Sequence, residues 1–253
     1  MKTKNKYIIT AISDTHTRHD HITENLSGGD ILIHSGDFTS IGMFDEVSRF
    51  LEWFSKQPFA KKIFIAGNHD LCFDSEKIQY KKESYYYGSI DGFVPSDSKP
   101  QWLVDILSNL PDDVIYLENS MTEFDGIRIW GSPNSPKYGH EWAFNKERGE
   151  DIAIVWQQIP NEADIVITHT PIYGHCDRVL RDASNVGCAD LYYRLNEVRP
   201  HLHFHGHIHE GYGYASTDWG YSINASMWNH YKDTINSPIR IEYDFADRHL
   251  EFI

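Results

Sequence analysis

Residues 62–70 carry the sequence KIFIAGNHD, and this stretch decides how the chain folds. Its first half, from Ile63 to Ala66, is a continuous apolar run, which is typical of a strand covered on both faces. Its second half, Gly67-Asn68-His69-Asp70, is polar and rich in atoms that bind metal ions. The stretch therefore predicts a buried strand that ends in a functional cluster.

Four other segments repeat this arrangement of a strand followed by a polar cluster. The five predicted strands are Tyr7–Ile12, Asp30–His34, Lys62–Ala66, Asp164–Thr168 and His201–His205. The clusters at their ends are Ser13-Asp14-Thr15-His16, Gly36-Asp37, Gly67-Asn68-His69-Asp70, Thr168-His169-Thr170 and Gly206-His207-Ile208-His209. Open α/β sheets gather ligands at the carboxyl ends of their strands, so we expect these clusters to meet.

Helical periodicity appears between the strands. Apolar residues recur at helical spacing in residues 44–54 and again in residues 102–110, where Pro111 is expected to end the helix. Residues 149–158 and 188–198 show weaker helical patterns. Asp125-Gly126 lies between two apolar segments and predicts a hairpin. Because residues 212–253 look strand-rich, we expect mixed sheets packed in a sandwich with helices outside.

Length and composition narrow the class of protein. The 253 residues predict one domain spanning 1–253, and no apolar run approaches the roughly 20 residues that cross a bilayer. The basic N-terminus lacks an apolar signal segment, and the three cysteines form no C-x-x-C pair, so we expect free thiols and a cytoplasmic protein. A net charge of −14 argues against binding to long nucleic acid.

The residue types in the clusters indicate a metal site. They offer carboxylate, amide and imidazole atoms and no cysteine, a set that suits Mn, Fe, Zn or a similar divalent ion. Asp14 and His16 are two residues apart, as are His207 and His209. On an extended segment both side chains of such a pair face the same way, so each pair can bind one ion or reach two adjacent ones.

Taken in order, the motifs D-x-H, G-D, G-N-H-D, a lone His and G-H-x-H resemble those of the calcineurin-like metallophosphoesterase superfamily. Within it the chain resembles the metallophosphoesterase-domain (MPPED) branch over about residues 9–226. The segments that carry this resemblance are 34–39 (HSGDFT), 65–69 (IAGNH), 142–145 (WAFN), 186–188 (VGC), 199–203 (RPHLH), 206–213 (GHIHEGYG) and 223–226 (INAS).

The resemblance implies a four-layer α/β/β/α sandwich of two mixed sheets flanked by helices, and a centre with two divalent metal ions. Manganese is the expected metal, with Fe, Zn, Ni and Co as alternatives. One ion would be held by Asp14, His16 and His209, the other by Asn68, His169 and His207, with Asp37 bridging them. His69 would be catalytic without binding metal, and Asp70 would orient it.

Two positions differ within the branch. Some animal members carry glycine in place of the first histidine of G-H-x-H, whereas this chain has His207 and therefore a complete ligand set. The branch often has glutamate after the G-N-H histidine, where this chain has the shorter Asp70, so we expect His69 to be held differently here.

The implied chemistry is hydrolysis of a phosphate ester by a hydroxide that bridges two metals. We expect a phosphodiesterase acting on a small substrate such as a cyclic nucleotide, with Asn68, His69, Trp142 and Phe144 contacting it. The alternatives are a phosphomonoesterase or protein phosphatase on the same centre and a non-catalytic metal-binding scaffold. Arg148, Arg178 and Arg181 are candidate phosphate contacts. The expected partner is a small phosphate-ester substrate such as a nucleotide. Neither long nucleic acid nor a membrane is expected, and the oligomeric state is open.

Overall fold

The computed structural model describes residues 4–75, 99–139, 142–229 and 234–253. Its α-helices are α1 (Phe44–Ser55), α2 (Gln101–Ser108), α3 (Glu150–Trp156) and α4 (Ala189–Val198). Short 3-10 helices span His19–Asn25, Leu71–Phe73 and His209–Gly211. The strands are β1 (Lys6–Ile12), β2 (Gly29–Ser35), β3 (Phe59–Ile65), β4 (Val114–Tyr116), β5 (Ser120–Phe124), β6 (Ile127–Ser132), β7 (Ser135–Pro136), β8 (Asn145–Lys146), β9 (Ile165–Thr168), β10 (Leu202–His205), β11 (Gly213–Ser216), β12 (Tyr221–Asn224), β13 (Trp228–Asn229), β14 (Thr234–Ile235), β15 (Ile239–Asp244) and β16 (His249–Phe252).

Within these ranges most strands belong to two six-stranded mixed sheets. The first has the order β16-β15-β1-β2-β3-β4, and the second has the order β11-β12-β10-β9-β6-β5. Parallel pairing runs from β1 to β4 in the first sheet and through β12, β10, β9 and β6 in the second. Antiparallel strands form one edge of the first sheet and both edges of the second. Two mixed sheets are what the sequence predicts.

The apolar side chains of the central strands divide between three cores. In β2, Ile31 and Ile33 point into the core between the two sheets, whereas Leu32 packs under α1. In the second sheet, Ile165 and Ile167 face the inner core, and Val166 packs against α3 and α4. The continuous apolar runs are therefore covered on both faces. The layers are helix, sheet, sheet and helix, which confirms the predicted four-layer sandwich.

Most predicted boundaries agree with the structure to within about three residues. The clearest difference is α2, which ends at Ser108 and not beside Pro111. A residue that precedes proline is disfavoured in helical geometry, so Leu110 cannot continue the helix. The amide of Asn109 instead bonds to Ile106 O in a tightened last turn. No helix within the described ranges is both long and apolar enough to span a bilayer.

The predicted hairpin at Asp125-Gly126 is confirmed. β5 and β6 pair antiparallel, and the two turn residues have φ angles of 50° and 76°. Positive φ at both positions is typical of a type I′ turn, which matches the natural twist of the flanking strands.

Phe204 on β10 tests the core between the sheets, because its side chain is fully buried there. We expect Phe204→Ala to lower the free energy of unfolding by about 3–5 kcal/mol through lost burial and a residual cavity. Urea unfolding followed by circular dichroism measures this. Phe44→Ala is the control, since Phe44 is 56% exposed, and it should lose less than about 1 kcal/mol. Equal losses for the two variants would contradict the layer assignment.

Candidate metal centre

The Asp37 carboxylate lies at the point where the strand ends of both sheets meet. Its Oδ1 atom accepts a hydrogen bond of 2.8 Å from the backbone amide of His69. Its Oδ2 atom lies 3.3 Å from His169 Nε2 and 3.9 Å from His16 Nε2. Asp37 thus faces one histidine from the end of β9 in the second sheet and one that follows β1 in the first.

Asp14, His16 and His209 form the first group of potential ligands. One nitrogen or oxygen atom from each lies within 4.8 Å of the others. Asp14 Oδ1 is 3.2 Å from His209 Nε2, and the Nε2 atoms of His16 and His209 are 3.4 Å apart. These atoms converge on a space that a divalent ion can fill.

Asp37, His169 and His207 form the second group, again with one atom each within 4.8 Å. Asn68 joins them, because its Oδ1 atom lies 3.0 Å from His169 Nε2. The two groups share a border at Asp37, and every metal ligand proposed from the sequence falls into one of them. The structure therefore brings together all seven residues, although they lie on five separate segments.

Two of the rings are held so that one nitrogen points into the site. His16 Nδ1 lies 3.2 Å from the carbonyl of Thr39, and His169 Nδ1 lies 2.9 Å from the carbonyl of Ser35. A carbonyl only accepts, so each Nδ1 carries a proton and each Nε2 is the nitrogen that faces the site. Backbone carbonyls orient metal-binding histidines in this way in many proteins. The donor set and its orientation therefore fit divalent cations.

The electrostatics of the site also suit cations. Burial lowers the pKa of His16 to about 4 and that of His207 to about 3, so both rings are neutral near pH 7, the form that binds metal. Burial opposes a charge on Asp37, but the nearby His169 holds its pKa below the usual carboxyl value. Burial likewise opposes a charge on His169, yet Asp37 raises its pKa to about 9. A bound cation would replace the proton that this pair shares.

The backbone at the site is strained, which the sequence did not predict. Asp14, His16, Asp37 and His207 have φ angles of 52°, 40°, 56° and 67°. Left-handed geometry costs a non-glycine residue roughly 1 kcal/mol, and such residues cluster at functional sites. The prediction that the D-x-H segment is extended is therefore wrong. The Asp14 and His16 side chains converge because left-handed turns, not an extended strand, aim them.

His69 lies beside the two groups, with one nitrogen within 4.8 Å of ligand atoms of His16 and Asp37, and Asp70 does not orient it directly. His69 Nδ1 lies 2.8 Å from the carbonyl of Ser40, and its ring is 4.1 Å from that of Trp142. The buried Asp70 carboxylate accepts bonds instead from Asp37 N, Gly67 N, Thr39 N and Thr39 Oγ1. This corrects the orienting role assigned to Asp70, because its short side chain is fully used in tying the β2 loop to the β3 loop.

An open cavity of about 550 Å³ lies in front of both ligand groups. Trp142, which the sequence predicts to contact substrate, lines it together with Tyr138 of the same loop (residues 131–144), and Asn68 and His69 line its floor. Phe144 does not line it. Its side chain is only 6% exposed and packs in the core under α1, so the prediction that it contacts substrate is corrected. His140 in the same loop lies outside the described residues.

The three candidate arginines do not line this cavity. Both terminal nitrogens of Arg148 bond to backbone carbonyls, at Gly187 and Val186. Arg178 bonds to Ala183 O, and Arg181 pairs with Asp182.

The two histidines on β10 and His201 just before it are held by neighbouring side chains. His203 and His205 both bond to the hydroxyl of Ser222, at 3.1 and 3.0 Å, and His201 lies 3.1 Å from the hydroxyl of Tyr243. They join none of the potential metal-binding groups of the described residues. His34 contacts the segment that carries two of the proposed ligands. Its Nε2 atom is 3.0 Å from the Oγ1 atom of Thr15, which lies between Asp14 and His16 in the sequence.

Two contacts at the site were not predicted from the sequence. Ser226 Oγ donates a 2.8 Å hydrogen bond to Asp14 Oδ2, and an isolated bridge pairs Ser226 with Ser13. Ser226 belongs to the segment INAS at the end of β12, so its position at a strand end was the available signal. The Ser40 carbonyl that holds His69 is a backbone atom and leaves no signal in residue type.

Comparison with known proteins gives a consistent result. The family model described as calcineurin-like phosphoesterase matches residues 7–211. Metallophosphoesterase domain-containing protein 1 of Homo sapiens is 39% identical over 234 residues, which cover 91% of this chain and 69% of that protein. UPF0046 protein T07D4.2 of Caenorhabditis elegans is 37% identical over 235 residues, which cover 90% of this chain and 58% of that protein.

A solved structure supports the fold alone. That of TT1561 of Thermus thermophilus aligns with a TM-score of 0.62 at 10% identity, over 98% of each chain. At this identity the likeness concerns the arrangement of helices and strands and carries no information on substrate.

Gly67→Ala tests the geometry of the centre. A Cβ atom at this position would lie 2.3 Å from Asp37 Oδ1 and 2.7 Å from His169 Cε1. Because both contacts are shorter than van der Waals distance, we expect affinity for divalent metal to fall about tenfold or more. Metal analysis after equilibrium dialysis measures this.

Gly174→Ala is the matched control for this substitution. It meets nothing within 4 Å and adds only left-handed strain of about 1 kcal/mol, so its metal content should match that of the unaltered protein. Full metal content in folded Gly67→Ala would contradict the described geometry.

Proposed function

We propose that this chain, which belongs to the calcineurin-like phosphoesterase family, is a phosphodiesterase with two metal ions in its active site. The family supports the broader statement that the chain is a metal-dependent hydrolase of phosphate esters. The finer proposal rests on one observation above all, namely that two groups of ligand atoms meet at the single carboxylate of Asp37.

In this proposal the two divalent ions, when bound, supply a water of lowered pKa and positive charge beside the phosphoryl oxygens. The protein's own contribution is placement. Asp37 is fixed by the His69 amide and by its own amide on Asp70, so its second oxygen keeps one orientation. Asn68 places its side chain at the cavity floor, where its amide can donate to a phosphoryl oxygen.

His69 is the proposed general acid. Its Nδ1 atom is engaged by the Ser40 carbonyl, so Nε2 is the nitrogen that can hold a proton for the leaving oxygen. Trp142 covers one side of the ring and His16 meets it edge-on at 4.6 Å, and both contacts limit its rotation. One nitrogen of His69 also lies within 4.8 Å of ligand atoms of His16 and Asp37, so the proposal that it binds no metal needs a direct test.

The cavity suits a small substrate. Its 550 Å³ lies in the usual range for sites of small molecules, and its rim carries the aromatic rings of Trp142 and Tyr138. An aromatic rim can stack a nucleobase, which supports a nucleotide diester such as a cyclic nucleotide as substrate. Manganese is the proposed metal, and the donor set of oxygen and imidazole nitrogen is compatible with it, as it is with iron and zinc.

His69→Ala and Asp37→Ala separate catalysis from metal binding. We expect His69→Ala to retain its metal while its kcat falls by about 10²–10⁴ on a diester with a poor leaving group. The loss should be smaller with p-nitrophenolate, which leaves without a proton. Asp37→Ala should lose both metal and activity. Metal analysis alongside kinetics measures these effects, and full activity of His69→Ala on the poor leaving group would refute the acid role.

The substrate class is tested with bis-p-nitrophenyl phosphate and p-nitrophenyl phosphate in the presence of manganese. We expect a higher kcat/KM for the diester, followed by activity on one or more members of a panel of 2′,3′- and 3′,5′-cyclic nucleotides. A preference for the monoester would favour a phosphomonoesterase or protein phosphatase on the same centre. Tight metal binding with no turnover of either compound would favour a scaffold.

A further inference from the structure

The wall of the cavity has an unusual charge for a site that receives phosphate. Among the described residues that line it, none is lysine or arginine. The charged side chains on the wall are instead the carboxylates of Asp37 and Glu210. Asp37 is accounted for at the metal centre, but Glu210 belongs to neither ligand group and has no part in the proposed mechanism.

Glu210 lies in the cavity wall, where its side chain is only weakly held. It lies in the 3-10 helix His209–Gly211, directly after a proposed ligand. Its hydrogen bond within the described ranges is a long one of 3.4 Å, which Oε1 accepts from the amide of Leu180. The nearby Arg181 pairs with Asp182 and not with Glu210. Among the described residues no lysine or arginine pairs with Glu210, so its partly exposed carboxylate brings a negative charge to the wall of the proposed phosphate site.

We propose that Glu210 is a specificity-determining residue that makes the site select phosphate esters with one negative charge over esters with two. This inference rests on the proposed phosphoesterase function and deepens it by naming the charge class of the substrate. Phosphodiesters carry one negative charge, whereas phosphomonoesters carry nearly two above pH 7. Glu210 repels both, but it repels the doubly charged ester more.

The size of the effect follows from Coulomb's law. The repulsion is proportional to the charge of the ligand, so its free energy for a dianion is twice that for a monoanion. If removing the carboxylate tightens monoanion binding about threefold, it tightens dianion binding about tenfold. The fold-change in affinity for the dianion is therefore about the square of the fold-change for the monoanion. A steric or structural effect of the substitution would not depend on ligand charge in this way.

The experiment compares Glu210→Gln with the unaltered protein, both loaded with manganese. The probes are methyl phosphate, a dianion at pH 8, and dimethyl phosphate, a monoanion of similar size, and their dissociation constants are measured by isothermal titration calorimetry. We expect Glu210→Gln to bind methyl phosphate about tenfold and dimethyl phosphate about threefold more tightly. The difference should shrink as salt is raised, because the charge is partly exposed.

Two further variants complete the experiment. The glutamine amide can donate a hydrogen bond to phosphate, so Glu210→Ala, which has no such donor, must give the same ratio. Glu162→Gln makes the same change in net charge at an exposed site and should leave both dissociation constants unchanged. Equal effects on the two probes, or no effect, would overturn the proposal.

The outcome for Glu210 can be told apart from the outcome for the phosphodiesterase proposal. The binding measurements report on Glu210 even if the unaltered enzyme prefers monoesters. In that outcome the phosphodiesterase proposal fails, whereas the charge-selecting role of Glu210 stands or falls on the ratio of dissociation constants alone.

Discussion

The structure of the site depends on the fixed position of the Asp37 carboxylate. One oxygen is held by the His69 amide, and the other faces histidines that approach from two different sheets. Asp37 is also almost fully buried, so its charge needs cationic partners. Asp37 borders both groups of potential ligands. Bound cations would stabilise its buried anionic form, so the fold that buries Asp37 also favours metal binding.

Holding Asp37 in place requires strain, and the surrounding hydrogen bonds offset it. The left-handed backbone at Asp14, His16 and Asp37 is stabilised by amides that bond across the β1 and β2 loops, as in the 2.9 Å bond from Asp14 N to Gly36 O. Asp70 accepts four hydrogen bonds that tie the β2 loop to the β3 loop. Burial and the Asp37 charge raise the pKa of Asp70 to about 7, so this carboxylate is also placed at an energetic cost. The four-layer sandwich supplies the rigidity that sustains such a site.

The proposed ligands and the layers could be predicted from sequence because both leave a signal in residue type. An apolar run followed by Asp, Asn or His marks a buried strand and its functional end. Contacts made by backbone atoms leave no such signal, which is why the Ser40 carbonyl behind His69 was not foreseen. Trp142 and Phe144 are both aromatic and lie in one loop, yet one lines the cavity and the other packs in the core. Only tertiary structure separates them.

Anomalous diffraction from a manganese-soaked crystal shows whether two metal ions share Asp37. We expect two anomalous peaks roughly 3.5–4 Å apart on either side of the Asp37 carboxylate. One peak should lie among Asp14, His16 and His209 and the other among Asn68, His169 and His207. A single peak, or a peak coordinated by His69 in place of these residues, would contradict it.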